Sequence, residues 1–155
     1  LKNCELLAKA GFKAQVSVNY SFNVIDERPE TIRQTVAYHR ELEKIFGADI
    51  VEPSIFFIGL QPHTLLEEYG LKKGLLKPGY NPMSLMPWTA RKLLWNPEPM
   101  GKEFGRICLE AFDTNPSDFG RTVMDLLERD YGISSLNDAL TVEVKNRPVL
   151  AKNLR

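Results

Sequence analysis

Between Ala14 and Gln61 the spacing of apolar residues changes period twice, and that pattern admits few folds. Val16, Val18, Tyr20 and Phe22 alternate with Gln15, Ser17, Asn19 and Ser21, which is a strand with one apolar and one polar face. Pro29 suits the first turn of a helix, and Glu30 beside it favours the positive end of the helix dipole. Ile32, Val36, Leu42, Ile45 and Phe46 then supply a buried stripe, and Gly47 ends the run. A second strand, richer in apolar residues and therefore more central, is expected from Ile50 to about Leu60. Strand, helix and strand in this order imply a right-handed crossover and parallel pairing. Two strands are not a stable sheet on their own, so the unit needs neighbours from a longer protein or from a second copy of the chain.

Composition narrows the setting. A chain of 155 residues, 43% hydrophobic and 26% charged, can bury a core and is not a disordered segment. Twenty basic and twenty acidic residues balance to a formal net charge of zero, so no nucleic acid and no anionic membrane is expected as a partner. The strongest apolar run, Ile55 to Leu60, is bounded by Pro53 and Pro62 and falls well short of the roughly 18 residues that a membrane span needs. Cys4 and Cys108 are far apart and have no metal-ligand spacing, which favours a reduced, cytoplasmic setting over a disulfide framework. No charged-then-apolar leader follows Leu1. Leu6, Leu7 and Ala10 fall at helical spacing before Gly11, so the chain opens inside a helix and is expected to be a piece of something longer.

Downstream, Gln61-Pro62-His63-Thr64 makes a turn, and Thr64 can cap a short helix through Tyr69. From Gly70 to Pro99 the chain is rich in Gly and Pro and carries three exposed-looking aromatics, Tyr80, Trp88 and Trp95, which suggests a functional loop or an interface. Trp88 and Trp95 also suit the core stripe of a short helix. Helices are expected from about Lys102 to Phe112 and from the Asn115-Pro116 cap to about Tyr131, where Gly132 stops the second. A further strand is possible at Leu140 to Val144. This divides the chain into a β-α part, residues 1–77, and an irregular and helical extension, residues 78–155.

The polar strand face is the most informative feature. In a closed or partly closed parallel barrel the apolar face packs under the outer helices, the other face looks into the lumen, and ligands sit at the C-terminal ends of the strands. Ser17, Asn19 and Ser21 then point inward, followed by Asn23, Asp26 and Glu27, with Glu52, Ser54 and Gln61 from the second strand. A half-exposed sheet with a solvated face shows the same alternation, but parallel sheets are generally covered on both faces. His63 stands in a turn at the functional end, where it can touch a ligand; His39, beside Arg40 on a helix, reads as a surface residue. Asp26 and Glu27 serve as a carboxylate pair or as helix-start caps. Cys108, among Phe104, Ile107 and Phe112, reads as a core thiol.

These residues resemble a known family. Gly11-Phe12-Lys13-Ala14-Gln15-Val16-Ser17-Val18, a polar turn and then Glu30-Thr31-Ile32 opening a helix is similar to the later β-α units of radical SAM enzymes. The run from Ile55 to Leu71, with the turn Gln61-Pro62-His63-Thr64 and the pair Glu67-Glu68, looks like that family's sixth strand, proline turn and following helix. The likeness covers Leu1 to about Lys77. It implies an α/β fold that is a partial parallel (β/α) barrel fragment with an added helical C-terminal region. It further implies a parent enzyme that cleaves S-adenosylmethionine at a 4Fe–4S cluster, with cobalamin as a possible second cofactor.

Under the resemblance Asn19, Ser21 and Asn23 lie near the ribose or adenine, while backbone from Gly59 through Leu60 to Gln61, with His63, lies near the adenine. The Tyr80 to Trp95 segment would close over a small-molecule substrate. The departures are specific. The family's three-cysteine cluster motif is absent, Asn23 replaces a glycine after the fifth strand, and His63 replaces the glycine of the usual Pro-Gly-Thr. The piece is therefore expected to be inactive alone, to need the missing N-terminal half of the protein, and to self-associate through open strand edges. The rival expectations are a non-catalytic interaction domain built on the β-α-β unit and a piece of a different parallel α/β enzyme.

Overall fold

The computed structural model describes residues 1–79 and 94–134. Its elements are α1 (Lys2–Lys9), β1 (Val16–Phe22), α2 (Pro29–Phe46), β2 (Val51–Gly59), α3 (Leu65–Lys72), β3 (Leu94–Trp95), α4 (Met100–Thr114) and α5 (Phe119–Tyr131), with a short 3-10 turn at Pro116–Asp118 before α5. The fold is mixed α/β. The sheet has the order β1-β2-β3, with β1 and β2 parallel from Val16↔Val51 to Phe22↔Phe57, and β3 antiparallel to the end of β2 through Ile58↔Trp95. The expected parallel pairing of β1 and β2 and the central place of β2 are both present.

Alternation along the strands sets the layers. Tyr20 and Phe22 on β1 are buried, and Val18, Ile55 and Phe57 pack beside them against Ile32 and Val36 of α2, Phe104, Ile107 and Ala111 of α4, and Val123, Met124 and Leu127 of α5. The core thus joins residues before and after position 78. Phe104 is its hub, with ring centroids 5.1 Å from Phe22 and 6.5 Å from Phe57. Each fully buried side chain of this size contributes about 1.5–3 kcal/mol. On the reverse face Ser17, Asn19, Ser21, Glu52 and Phe56 are exposed. Among the described residues, the helices that build the core therefore back one face of the parallel pair and leave the other exposed.

Local chemistry explains the boundaries. Arg28 at the N-cap of α2 is extended, Pro29 takes the first position, and the backbone N–H of Arg28 donates to the Thr31 hydroxyl at 3.1 Å. Gly47, at φ 102°, ends that helix in a conformation that excludes a Cβ at low cost. At the start of α5 the chain passes so near β2 that a Cβ on Gly120 would overlap the Pro53 carbonyl.

Several sequence expectations change here. Helix α3 runs past Tyr69 to Lys72. Trp95 is not exposed and not helical: it lies in β3, 3% exposed, packed with Leu60 and Leu76 and with Tyr69 beside it. Cys108 is half-buried rather than a core residue, because the same turn of α4 leaves Phe112 facing solvent. Tyr80, Trp88 and the strand expected at Leu140 to Val144 lie outside the described residues. No helix among the described residues is long and apolar enough to cross a membrane.

Candidate functional site

Parallel pairing brings the C-terminal ends of β1 and β2 to the same end of the sheet. Beyond β1 the chain turns at Asn23, whose φ of 56° is left-handed, a conformation asparagine tolerates better than most residues. Beyond β2 it turns at His63, φ 62°. Left-handed backbone thus marks both turns, and Asp26 between β1 and α2 shares it at φ 63°.

Asn23 is 3% exposed, and both hydrogens of its amide are used within the chain. Nδ2 donates to Asn96 Oδ1 at 2.6 Å and to the Pro97 carbonyl at 2.8 Å, and Asn96 Nδ2 donates onward to the Gly101 carbonyl at 3.0 Å. Asn23 thus ties the end of β1 to the entry of α4, and its amide has no hydrogen left to donate to a ligand. The other turn is a capping arrangement. His63 N–H donates to Glu67 Oε2 at 2.7 Å, Glu67 N–H donates to the Thr64 hydroxyl at 3.3 Å, and that hydroxyl donates to the Gln61 carbonyl at 2.8 Å. The His63 side chain, Gly59 and Gln61 are exposed, whereas Leu60 points into the small core with Leu76 and Trp95 and offers the site only its backbone.

The open face pairs Ser17 with Glu52, Asn19 with Ser54 and Ser21 with Phe56. Its one carboxylate, Glu52, sits toward the N-terminal end and accepts from the Gln15 amide. The half nearer the strand ends is uncharged and carries hydroxyls, one amide and one ring. Phe56, 51% exposed, was not singled out by the sequence pattern, although its place between Ile55 and Phe57 in an alternating strand requires it to face away from the core. Of the pair Asp26 and Glu27, the second accepts from the Thr31 hydroxyl, which is the capping role, while Asp26 is exposed in a left-handed turn.

His39 overturns its expectation. It is 0% exposed, not a surface residue, with the Tyr20 hydroxyl 3.1 Å from Nδ1 and Glu43 Oε1 3.4 Å from Nε2. The stripe Ile32, Val36, His39, Glu43 advances by four, three and four residues, so helical period places His39 inward and only its residue type argued otherwise.

The groups at the strand ends are hydroxyls, amides and backbone, which can donate and accept hydrogen bonds. Burial pushes the Cys108 thiol up, away from thiolate character. Among the described residues no group of three or more His, Cys, Asp and Glu side chains is arranged to hold a metal ion. A groove of about 580 Å³ lies away from the strand ends, between α2 residues such as Arg40 and Lys44 and the chain at Ile133 and Ser134. No protein-family model, curated protein or solved structure matches the chain.

Proposed function

We propose that this chain forms the rear wall of a radical SAM enzyme, with β1 and β2 as adjacent strands of a parallel barrel and their polar face toward its lumen. One observation carries the reading. Among the described residues the parallel pair is backed by helices on its apolar side only, and its other face is uncharged toward the C-terminal strand ends, with Asn19, Ser21 and Ser54 beside the ring of Phe56. Parallel sheets are rarely left open to solvent on one face, and a barrel lumen supplies the missing cover while placing ligands at those ends.

In this role Asn19 and Ser21 offer hydrogen bonds to ribose hydroxyls, and the backbone at Gly59, Leu60 and Gln61 meets the adenine edge. His63 stands at the rim, and Asn23 shapes the wall by fixing Asn96 and Pro97. S-adenosylmethionine, when bound with its cluster, supplies the radical chemistry; the chain's own part is to orient the nucleoside and exclude water. Cys4 and Cys108 do not fit as cluster ligands, since three thiolates are required, so the ligands belong to another part of the parent. The outer edge of β1, which no described strand pairs, would take the preceding barrel strand. The same edge and the exposed Phe56 favour the interaction-domain alternative, in which a partner protein or a second copy covers them.

Photolabelling of the complete gene product with 8-azido-S-adenosylmethionine separates the two. Label is expected on peptides holding β1 or residues 59–63. Label confined to other peptides, with none on these, would sink the proposal.

A further inference from the structure

Behind the open face lies a buried polar group that needs no ligand to be noticed. His39 of α2 is wedged between β1 and α5, with no part of it exposed. Its Nδ1 meets the Tyr20 hydroxyl at 3.1 Å, and its Nε2 faces Glu43 Oε1 at 3.4 Å, within ion-pair range but without good hydrogen-bond geometry. A hydroxyl on one side and a carboxylate on the other select the neutral tautomer with hydrogen on Nε2, whose Nδ1 accepts from Tyr20.

The charges around it are already matched. Arg40 Nη1 holds Glu43 Oε2 at 2.7 Å, and Arg121 Nη1 from α5 holds Glu43 Oε1 at 3.1 Å. Arg40 reaches further to Asp125 and Glu128 of α5, and Arg121 Nη2 donates to the Val51 carbonyl of β2 at 3.2 Å. The groups facing the ring are thus Tyr20 from β1, Glu43 and Arg40 from α2, and Arg121 and Asp125 from α5, with Tyr38 also near Tyr20. A second proton would sit on Nδ1, pointing at the Tyr20 hydroxyl hydrogen. Tyr20 would have to turn, and its own donor would be stranded in the core.

We propose that Tyr20, His39 and Glu43 form an acid-operated release, in which proton uptake by His39 frees helix α2 from β1 and α5. Burial, above all, keeps the imidazole below its ordinary range; Glu43 opposes this, Arg40 and Arg121 add to it, and Asp125 opposes it. The sign follows. The packed state binds fewer protons than the released one, so packing is complete above the ordinary imidazole value of about 6.5 and is lost as pH falls below it, by up to about tenfold per pH unit. Because Tyr20 shares its strand with Asn19 and Ser21, release also removes the backing of the open face. The inference stands on the core alone and does not depend on what occupies that face.

Hydrogen exchange of the full chain, read by mass spectrometry between about pH 8 and about pH 5 and corrected for intrinsic rates, tests it. Protection of the 29–46 peptides should be constant above about pH 6.5 and then fall by up to about tenfold per unit. His39→Gln, whose amide can accept from Tyr20 and donate to Glu43 without titrating, should flatten that dependence. Constant α2 protection down to about pH 5, or the same pH dependence in His39→Gln, would overturn the proposal. Should the variant not fold, imidazole nitrogen shifts of the unaltered chain decide: a neutral Nε2–H ring lost together with α2 packing supports release, and an imidazolium inside an intact fold overturns it.

Discussion

The side-chain amides of Asn23 and Asn96 meet at 2.6 Å, and that bond, with the one from Asn23 to the Pro97 carbonyl, joins the end of β1 to the chain that enters α4. The backbone at Asn23 is left-handed, so the side chain and the φ value do separate work. Asn23→Gly keeps the turn and loses the two bonds, leaving Asn96 Oδ1 without its donor at a half-buried place, for a loss of about 1–3 kcal/mol. Asn23→Ala should cost more, because it adds the strain of a left-handed Cβ residue. Urea denaturation of the pair measures the difference; equal stabilities would show that the turn itself is unstrained.

Gly120 is held against β2 by the Pro53 carbonyl, a backbone atom that cannot rotate away. Gly120→Ala should therefore destabilise by about 1–3 kcal/mol through overpacking, although alanine is the better helix former. Gly105, on α4, has nothing near its missing Cβ, and Gly105→Ala should be neutral or stabilising. Thermal melts should show a lowered midpoint for Gly120→Ala and an unchanged or raised one for Gly105→Ala.

Phe104 joins the aromatic side chains of β1 and β2 to the helical layer. Truncating it to alanine should cost about 3–5 kcal/mol, enough to unfold much of the population of a marginal domain. Near-ultraviolet circular dichroism should lose its fine structure in Phe104→Ala and keep it in Phe112→Ala, whose ring is exposed.

Arg129 bridges Glu110 of α4 and its neighbour Asp130, and Arg106 of α4 also reaches Asp130. Hydrogen bonds from Arg129 hold both carboxyls below their usual range. Their contribution is present above the ordinary carboxylate value of about 4 and is lost as pH falls through the lower folded values. These groups are at the surface, so Arg129→Gln should give a small loss at neutral pH that disappears in high salt and again in strong acid. A loss that persists in high salt would point to packing rather than charge.

Much of this architecture was legible because periodicity is a direct record of burial. Val16 to Phe22 and Ile32 to Leu42 show their inner faces as spacing, and Gly47 and Gly132 mark where helices stop. What stayed hidden depends on contacts between distant residues. Nothing around Asn96 announces that its partner is Asn23, and the two-residue strand at Trp95 is too short to carry a period. His39 was hidden by residue type: its spacing placed it inside, but its burial depends on Tyr20 and Glu43 supplying partners. At the strand ends the polar alternation of Ser17, Asn19 and Ser21 was visible in sequence, while the loss of Asn23's donors to the chain was not.

The most direct test of the barrel-wall proposal is made on the complete gene product, purified without oxygen. Incubation with S-adenosylmethionine and dithionite should release 5′-deoxyadenosine, with about four irons bound per chain. An intact gene product that binds no iron and releases none of this nucleoside would contradict it.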